Sequence, residues 1–166
     1  LWSQQALVLY NLDRLPEAMA AADHALGLNP GNQMNQLALP HWIRGLCLQE
    51  LGILEGAAAE FRKGLEAAPQ DDHNQPALGY VLARLGRTQQ SHDVLAALEH
   101  QQSRGKPVCY GIALVHAGLG NQAEAERWLQ RSAAGGETNY HFRDLDKRLK
   151  PILAKVQLAG ATARRG

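Results

Sequence analysis

Hydrophobic positions recur along this chain at two spacings. At short range they fall three and four residues apart, the period of a helix with one apolar face. Ile43, Leu46, Cys47 and Leu51 form one such stripe, and Ala57, Ala58, Phe61, Leu65 and Ala68 form the next. Gly52 lies between them, where a residue that takes positive φ ends a helix, and Pro69 closes the second stripe. At long range the whole pattern returns at one fixed interval, the step from position 51 to 85 to 119. Leu51-Gly52, Leu85-Gly86 and Leu119-Gly120 are in phase, and so are Gly45, Gly79 and Ala113. Ala57, Ser91 and Ala125 are all small in that phase, and Phe61, Leu95 and Leu129 are all large and apolar. An earlier copy lies upstream at a slightly longer step, where Ala6, Ala18 and Pro30 answer to Gly45, Ala57 and Pro69.

Each unit therefore reads as helix, turn, helix. Pro40, Pro76 and Pro107 fall near the starts of first helices, where a missing N–H costs nothing. The small pairs 45/57, 79/91 and 113/125 let two helices approach closely, and residues 61, 95 and 129 are expected to plug the space toward the next unit. Such units stack on their neighbours instead of closing one globular core. Composition agrees. Ala and Leu number 26 each, against 6 Val and 4 Ile, which favours helix over strand. At 45% hydrophobic and 20% charged, the chain is not a disordered tail. It begins with Leu1, not Met, so a processed protein or an excised domain is expected.

These residues carry a resemblance to the tetratricopeptide repeat family. The first unit is similar through Trp2, Ala6, Leu9, Ala18, Ala25 and Pro30, and departs at Gln5 and Ala22. The second matches through Gly45, Leu48, Ala57, Phe61 and Pro69, the third through Leu78, Gly79, Leu82 and Leu95, and the fourth through Ile112, Ala113, Ala125 and Leu129. Ser103 and Glu137 stand where the closing Pro of the last two units belongs. The resemblance implies an all-α, right-handed α-solenoid of about four repeats, approximately 1–32, 38–71, 72–105 and 106–137. Residues 138–166 would follow as a C-terminal capping helix and basic tail. That tail resembles the ends of repeat arrays attached to bacterial winged-helix regulators, nucleotide cyclases and protein kinases. Its Asp146-Lys147-Arg148-Leu149 stands where those have Asp-Pro-Arg-Phe. Asp146 is a good N-cap, Leu149, Ile152, Leu153 and Val156 would cover the last repeat, and Pro151 would kink or split the helix.

In the family, residues one turn either side of the conserved small position of the first helix face inward. Carried over, these are Ser3, Leu7 and Tyr10, then Trp42, Leu46 and Gln49, then Pro76, Tyr80 and Arg84, then Tyr110, Leu114 and Ala117. The candidate partner groove is Leu7, Tyr10, Trp42, Leu46, Gln49, Tyr80, Arg84, Tyr110 and Leu114. An apolar, aromatic strip on a concave face is what a peptide binds. The plainer alternative is that these rings pack between helices. The family's carboxylate clamp of Lys and Asn is missing, because Ser3, Leu7, Ile43, His73 and Ala77 occupy its positions.

Nothing else reads as chemistry. His24, His41, His73, His92, His100, His116 and His141 stand in no metal-binding motif. Cys47 and Cys109 read as small buried hydrophobes. No nucleophile elbow or phosphate loop is present. Residues 1–142 carry a net −4 and residues 143–166 a net +5. The basic side chains of the tail, Arg143, Lys147, Arg148, Lys150, Lys155, Arg164 and Arg165, read as a solvated face in preference to a nucleic-acid or membrane contact. The expectation is therefore a protein–protein interaction scaffold, not an enzyme, without cofactor or metal. It would form part of a larger bacterial regulatory or assembly protein and have the capacity to self-associate through its terminal repeats. The rival reading is a stand-alone secretion chaperone that sequesters an apolar client. The compartment, cytoplasmic or periplasmic, has no signal in the chain.

Overall fold

A computed structural model of the chain describes residues 1–28, 34–137, 146–150 and 152. Among them are eight α-helices and no strand. The helices are α1 (Trp2–Asn11), α2 (Leu15–Gly27), α3 (Ala38–Glu50), α4 (Leu54–Ala67), α5 (Asn74–Arg84), α6 (Thr88–Ser103), α7 (Cys109–Gly118) and α8 (Gln122–Gly135). A short 3-10 turn, Met34–Leu37, leads into α3. Consecutive helices pair as α1–α2, α3–α4, α5–α6 and α7–α8, and each pair packs on the next. This is an all-α stack of helix pairs, as the long-range phase of the sequence predicts.

The turn inside each pair has one geometry, used four times. Ile53, Arg87 and Asn121 each donate a backbone N–H to the carbonyl five residues earlier, of Leu48, Leu82 and His116, at 2.8–2.9 Å. This is the bond that closes a helix through a left-handed residue. Gly52, Gly86 and Gly120 supply that residue, at φ 75°, 74° and 78°. The first pair makes the same bond, from Arg14 N–H to Leu9 O at 2.9 Å, but its left-handed residue is Asp13, at φ 60°. Asp is among the few side chains that tolerate this region. The carbonyl of the residue after it then opens the second helix, accepting from Ala18, Ala57, Ser91 and Ala125.

Those four small residues are fully buried where the paired helices touch. Ser91 Oγ also donates to Gly79 O at 2.8 Å, so the hydroxyl has a partner. The large residue of the second pair behaves differently from expectation. A Cβ on Gly45 would overlap the Phe61 ring, so Phe61 fills the space above the glycine of its own pair. Gly79 meets both its own pair, through Val94, and the next, through Val115. Pro40 and Pro76 are the third residues of α3 and α5, within the first turn where no intrahelical donor is lost.

Polar side chains fix the junctions between pairs. Asp71 accepts from the backbone N–H groups of His73 and Asn74 at 3.1 and 2.7 Å and so caps α5. Asn74 is fully buried in the space that Gly64 leaves and donates to Ala38 O at 3.0 Å. Glu60 is buried on α4, yet it accepts from His41 Nδ1 (2.9 Å), Arg44 Nε (3.1 Å) and Lys63 Nζ (2.8 Å). Arg44 also pairs with Asp23 of α2. Burial alone would raise the Glu60 carboxyl; the His41 and Lys63 hydrogen bonds and the Arg44 charge overcome it and hold it at about 2.

Candidate functional site

The first helices of successive pairs, α1, α3, α5 and α7, are neighbours in that order, and the second helices pack chiefly on first helices. The first helices therefore form one continuous face. Along it, Leu7, Tyr10, Trp42, Leu46, Tyr110 and Leu114 surround one cleft of about 530 Å³, counting the part open to solvent. Asn11, Asp72, His73 and Pro76 complete the wall from α1 and the start of α5. Six of the nine groove residues expected from sequence thus share one cleft. Tyr10, Leu46, Tyr110 and Leu114 are buried and form its floor, whereas Leu7 and Trp42 are half-buried at its sides. Gln49, Tyr80 and Arg84 do not line it, and Arg84 is exposed. Trp42 stacks on His73 with ring centroids 4.6 Å apart.

The remaining wall comes from the C-terminal segment. Asp146 and Arg148 line the cleft from the side facing the helices. Arg148 Nε and Nη2 each donate to Asp146 at 2.8 Å, a two-point pair, and Tyr110 Oη donates to Asp146 Oδ2 at 2.8 Å. The guanidinium lies 5.7 Å from the centre of the Tyr80 ring, within reach of a cation–π contact. Lys147 pairs with Asp13 in the first turn and lies 3.9 Å from Glu50. Leu149 and Ile152 are buried against Tyr110, Ala113, Leu114 and Leu129. The expected covering of the last pair is therefore made by these two residues. Leu153, Val156 and the Pro151 kink lie outside the described residues.

The expected solvated basic face holds for Lys150, which is exposed, but not for Lys147 and Arg148. The Arg148 side chain is 6% exposed and that of Lys147 is 25% exposed, and both are paired. Arg143, Lys155, Arg164 and Arg165 lie outside the described residues. Burial would raise the Asp146 carboxyl, but the Arg148 charge and the Arg148 and Tyr110 hydrogen bonds hold it below the usual carboxylate range. Burial pushes the Tyr110 hydroxyl up, and the Asp146 charge adds to it, so it stays a donor. At the N-terminus of α7, Glu137 occupies the place of the missing closing Pro. Its buried carboxylate accepts from Cys109 N–H (2.9 Å), Tyr110 N–H (3.0 Å) and Ser132 Oγ (2.7 Å), capping the helix that carries Tyr110.

Cys47 and Cys109 are buried free thiols, and burial pushes both up to about 11. Among the described residues no group of three His, Cys, Asp or Glu side chains is placed to hold a metal ion. No helix among them is long and apolar enough to cross a membrane.

The fold is that of an all-helical protein built from stacked helix pairs. No protein-family profile and no curated protein matches the chain. Solved structures resemble it in fold, two of them over most of its length. One is YrrB, a TPR protein with an unusual peptide-binding site, at 18% identity and a TM-score of 0.55, covering 93% of this chain and 82% of that one. The other is a double mutant of MamA from RS-1, at 16% identity and a TM-score of 0.56, covering 99% and 96%.

Proposed function

We propose that the chain is a tetratricopeptide-type scaffold whose concave face binds a peptide or protein partner. The observation that supports this best is the convergence of side chains from four first helices on one mostly apolar cleft open to solvent. Apolar and aromatic side chains in a concave site supply binding energy, and a few polar groups supply orientation. The peptide-binding site of YrrB belongs to a protein of similar fold and is in keeping with this reading. The role fits an interaction part of a larger bacterial regulatory or assembly protein. A client-sequestering secretion chaperone would use the same face.

The test is a pull-down with two sets of variants, each checked for helicity. Leu7→Ala with Trp42→Ala removes the two half-buried walls of the cleft. Arg62→Glu with Arg127→Glu changes exposed positions on second helices. Loss of the partner in the first set alone is the expected result. Retention in the first set with loss in the second would move the partner surface to the other face.

A further inference from the structure

We infer that the cleft receives an acidic side chain of an extended peptide segment, held on the unpaired edge of Arg148 and beside the indole of Trp42. This rests on the groove reading and names the chemistry that the groove selects. Arg148 commits Nε and Nη2 to Asp146. Its Nη1 is buried and has no hydrogen-bond partner among the described residues. Trp42 Nε1 is in the same condition. Both residues line the one cleft. Buried donors are nearly always paired, so an orphaned donor on each of two residues that line one cleft asks for an acceptor.

The kind of acceptor follows from the donor. A guanidinium has two edges that each match a planar carboxylate, and Asp146 occupies only one of them. The acids already lining the cleft are committed elsewhere. Asp146 holds Arg148 and Tyr110, and Asp72 holds Lys106 at 2.6 Å. Burial of the Arg148 side chain strengthens any charged hydrogen bond made there. Asp146, a mid-chain residue, shows how an acidic side chain meets this guanidinium, and the partner's would meet the opposite edge. Leu7, Leu46 and Leu114 then face the residue next to it, so the segment should pair an apolar residue with an acidic neighbour.

Calorimetric titration of the full chain tests this with end-blocked hexapeptides. The probe is Ala-Ala-Leu-Asp-Ala-Ala, with Asn and Lys replacing Asp as controls and free-acid Ala-Ala-Ala-Leu as the competing chemistry. The Asp peptide should bind about tenfold tighter than the Asn peptide, the difference one charged hydrogen-bond set makes. Trp42→Phe keeps a ring beside His73 but removes the N–H together with the five-membered part of the indole, so its melting temperature is measured alongside, and it should lose part of that preference. Arg148→Lys should abolish the preference. Equal affinity for Asp and Asn peptides overturns the inference while leaving the groove reading intact. So does an unchanged preference in Trp42→Phe, or tighter binding of the free-acid peptide. No binding of any peptide also overturns it, and the pull-down above then decides the groove reading separately.

Discussion

Lys147 closes an ion pair with Asp13, a residue 134 positions earlier in the chain. Asp13 is also the left-handed residue of the first inter-helix turn. One side chain thus shapes the first turn and anchors the segment that borders the cleft from the far end of the molecule. The ammonium group also lies 5.4 Å from the centre of the Tyr10 ring, at the floor of the cleft.

The two roles of Asp13 separate by substitution. Asp13→Gly removes the positive-φ cost and the ion pair together. The pair is on the surface, where such pairs contribute little, whereas a left-handed non-glycine residue costs about 1 kcal/mol. Urea unfolding should show Asp13→Gly as stable as the parent or slightly more so. Asp13→Val, which keeps the cost and cannot make the pair, should lose ~1–2 kcal/mol. A large destabilisation by glycine would show that the ion pair outweighs the turn.

Glycines at helix contacts should resist enlargement. A Cβ at Gly79 would lie 2.7 Å from Val115 Cγ2 and 2.9 Å from Val94 Cγ1, so Gly79→Leu should cost ~1–3 kcal/mol. Gly86 has open space around it, but its φ of 74° excludes a β-branched side chain. Gly86→Val should therefore lower the melting temperature without any clash. Parent-like melting of both variants would contradict the packing described above.

Acid should unfold the protein partly through Glu60. Its folded-state value, about 2, is below the ordinary 4.5. A depressed carboxylate stabilises above its unfolded value, and that contribution disappears as pH falls from 4.5 toward 2. Glu60→Gln should cost ~1–3 kcal/mol at neutral pH by leaving charged partners short of an acceptor. It should also flatten the loss of stability between pH 4.5 and 2. Parallel pH profiles for parent and variant would rule this out.

Deleting residues 138–166 removes Leu149 and Ile152 from the last pair and Asp146 from Tyr110. Buried faces of Tyr110, Leu114 and Leu129 would then meet water, as the end of an uncapped array does. Light scattering should detect self-association, and the melting temperature should fall. A monomer of unchanged stability would make the segment dispensable to the fold.

The helix pairs were legible because their signals are local and recur. Leu51-Gly52 and its two equivalents mark the turns directly. Asp13 carries no such mark, because its role is visible only in φ and the first step between units is out of phase with the rest. The inward stripe located most of the cleft, since first-helix positions repeat with the unit. It gave no sign of Arg148, which meets Tyr80 from a distant part of the chain and belongs to no repeat. Nor did it show that Phe61 would settle on Gly45: the stripe specifies a face, and only the packed pair shows which gap the ring fills. Glu137 looked like a lapse from the repeat pattern, and its capping contacts with Cys109 and Tyr110 are set by the fold.

The shared hydrogen-bond pattern of the four turns implies where this chain tolerates added length. Each second helix begins on the carbonyl that ends the turn, so one extra residue after Gly86 would rotate α6 by about 100°. Ser91 would then face away from Gly79. The stretch between the first two units is not held to that phase, being already five residues longer than its later equivalents. A tag or reporter loop inserted after Leu28 should leave all four pairs intact, whereas the same insertion at Gly52 or Gly86 should dismantle the pair it enters.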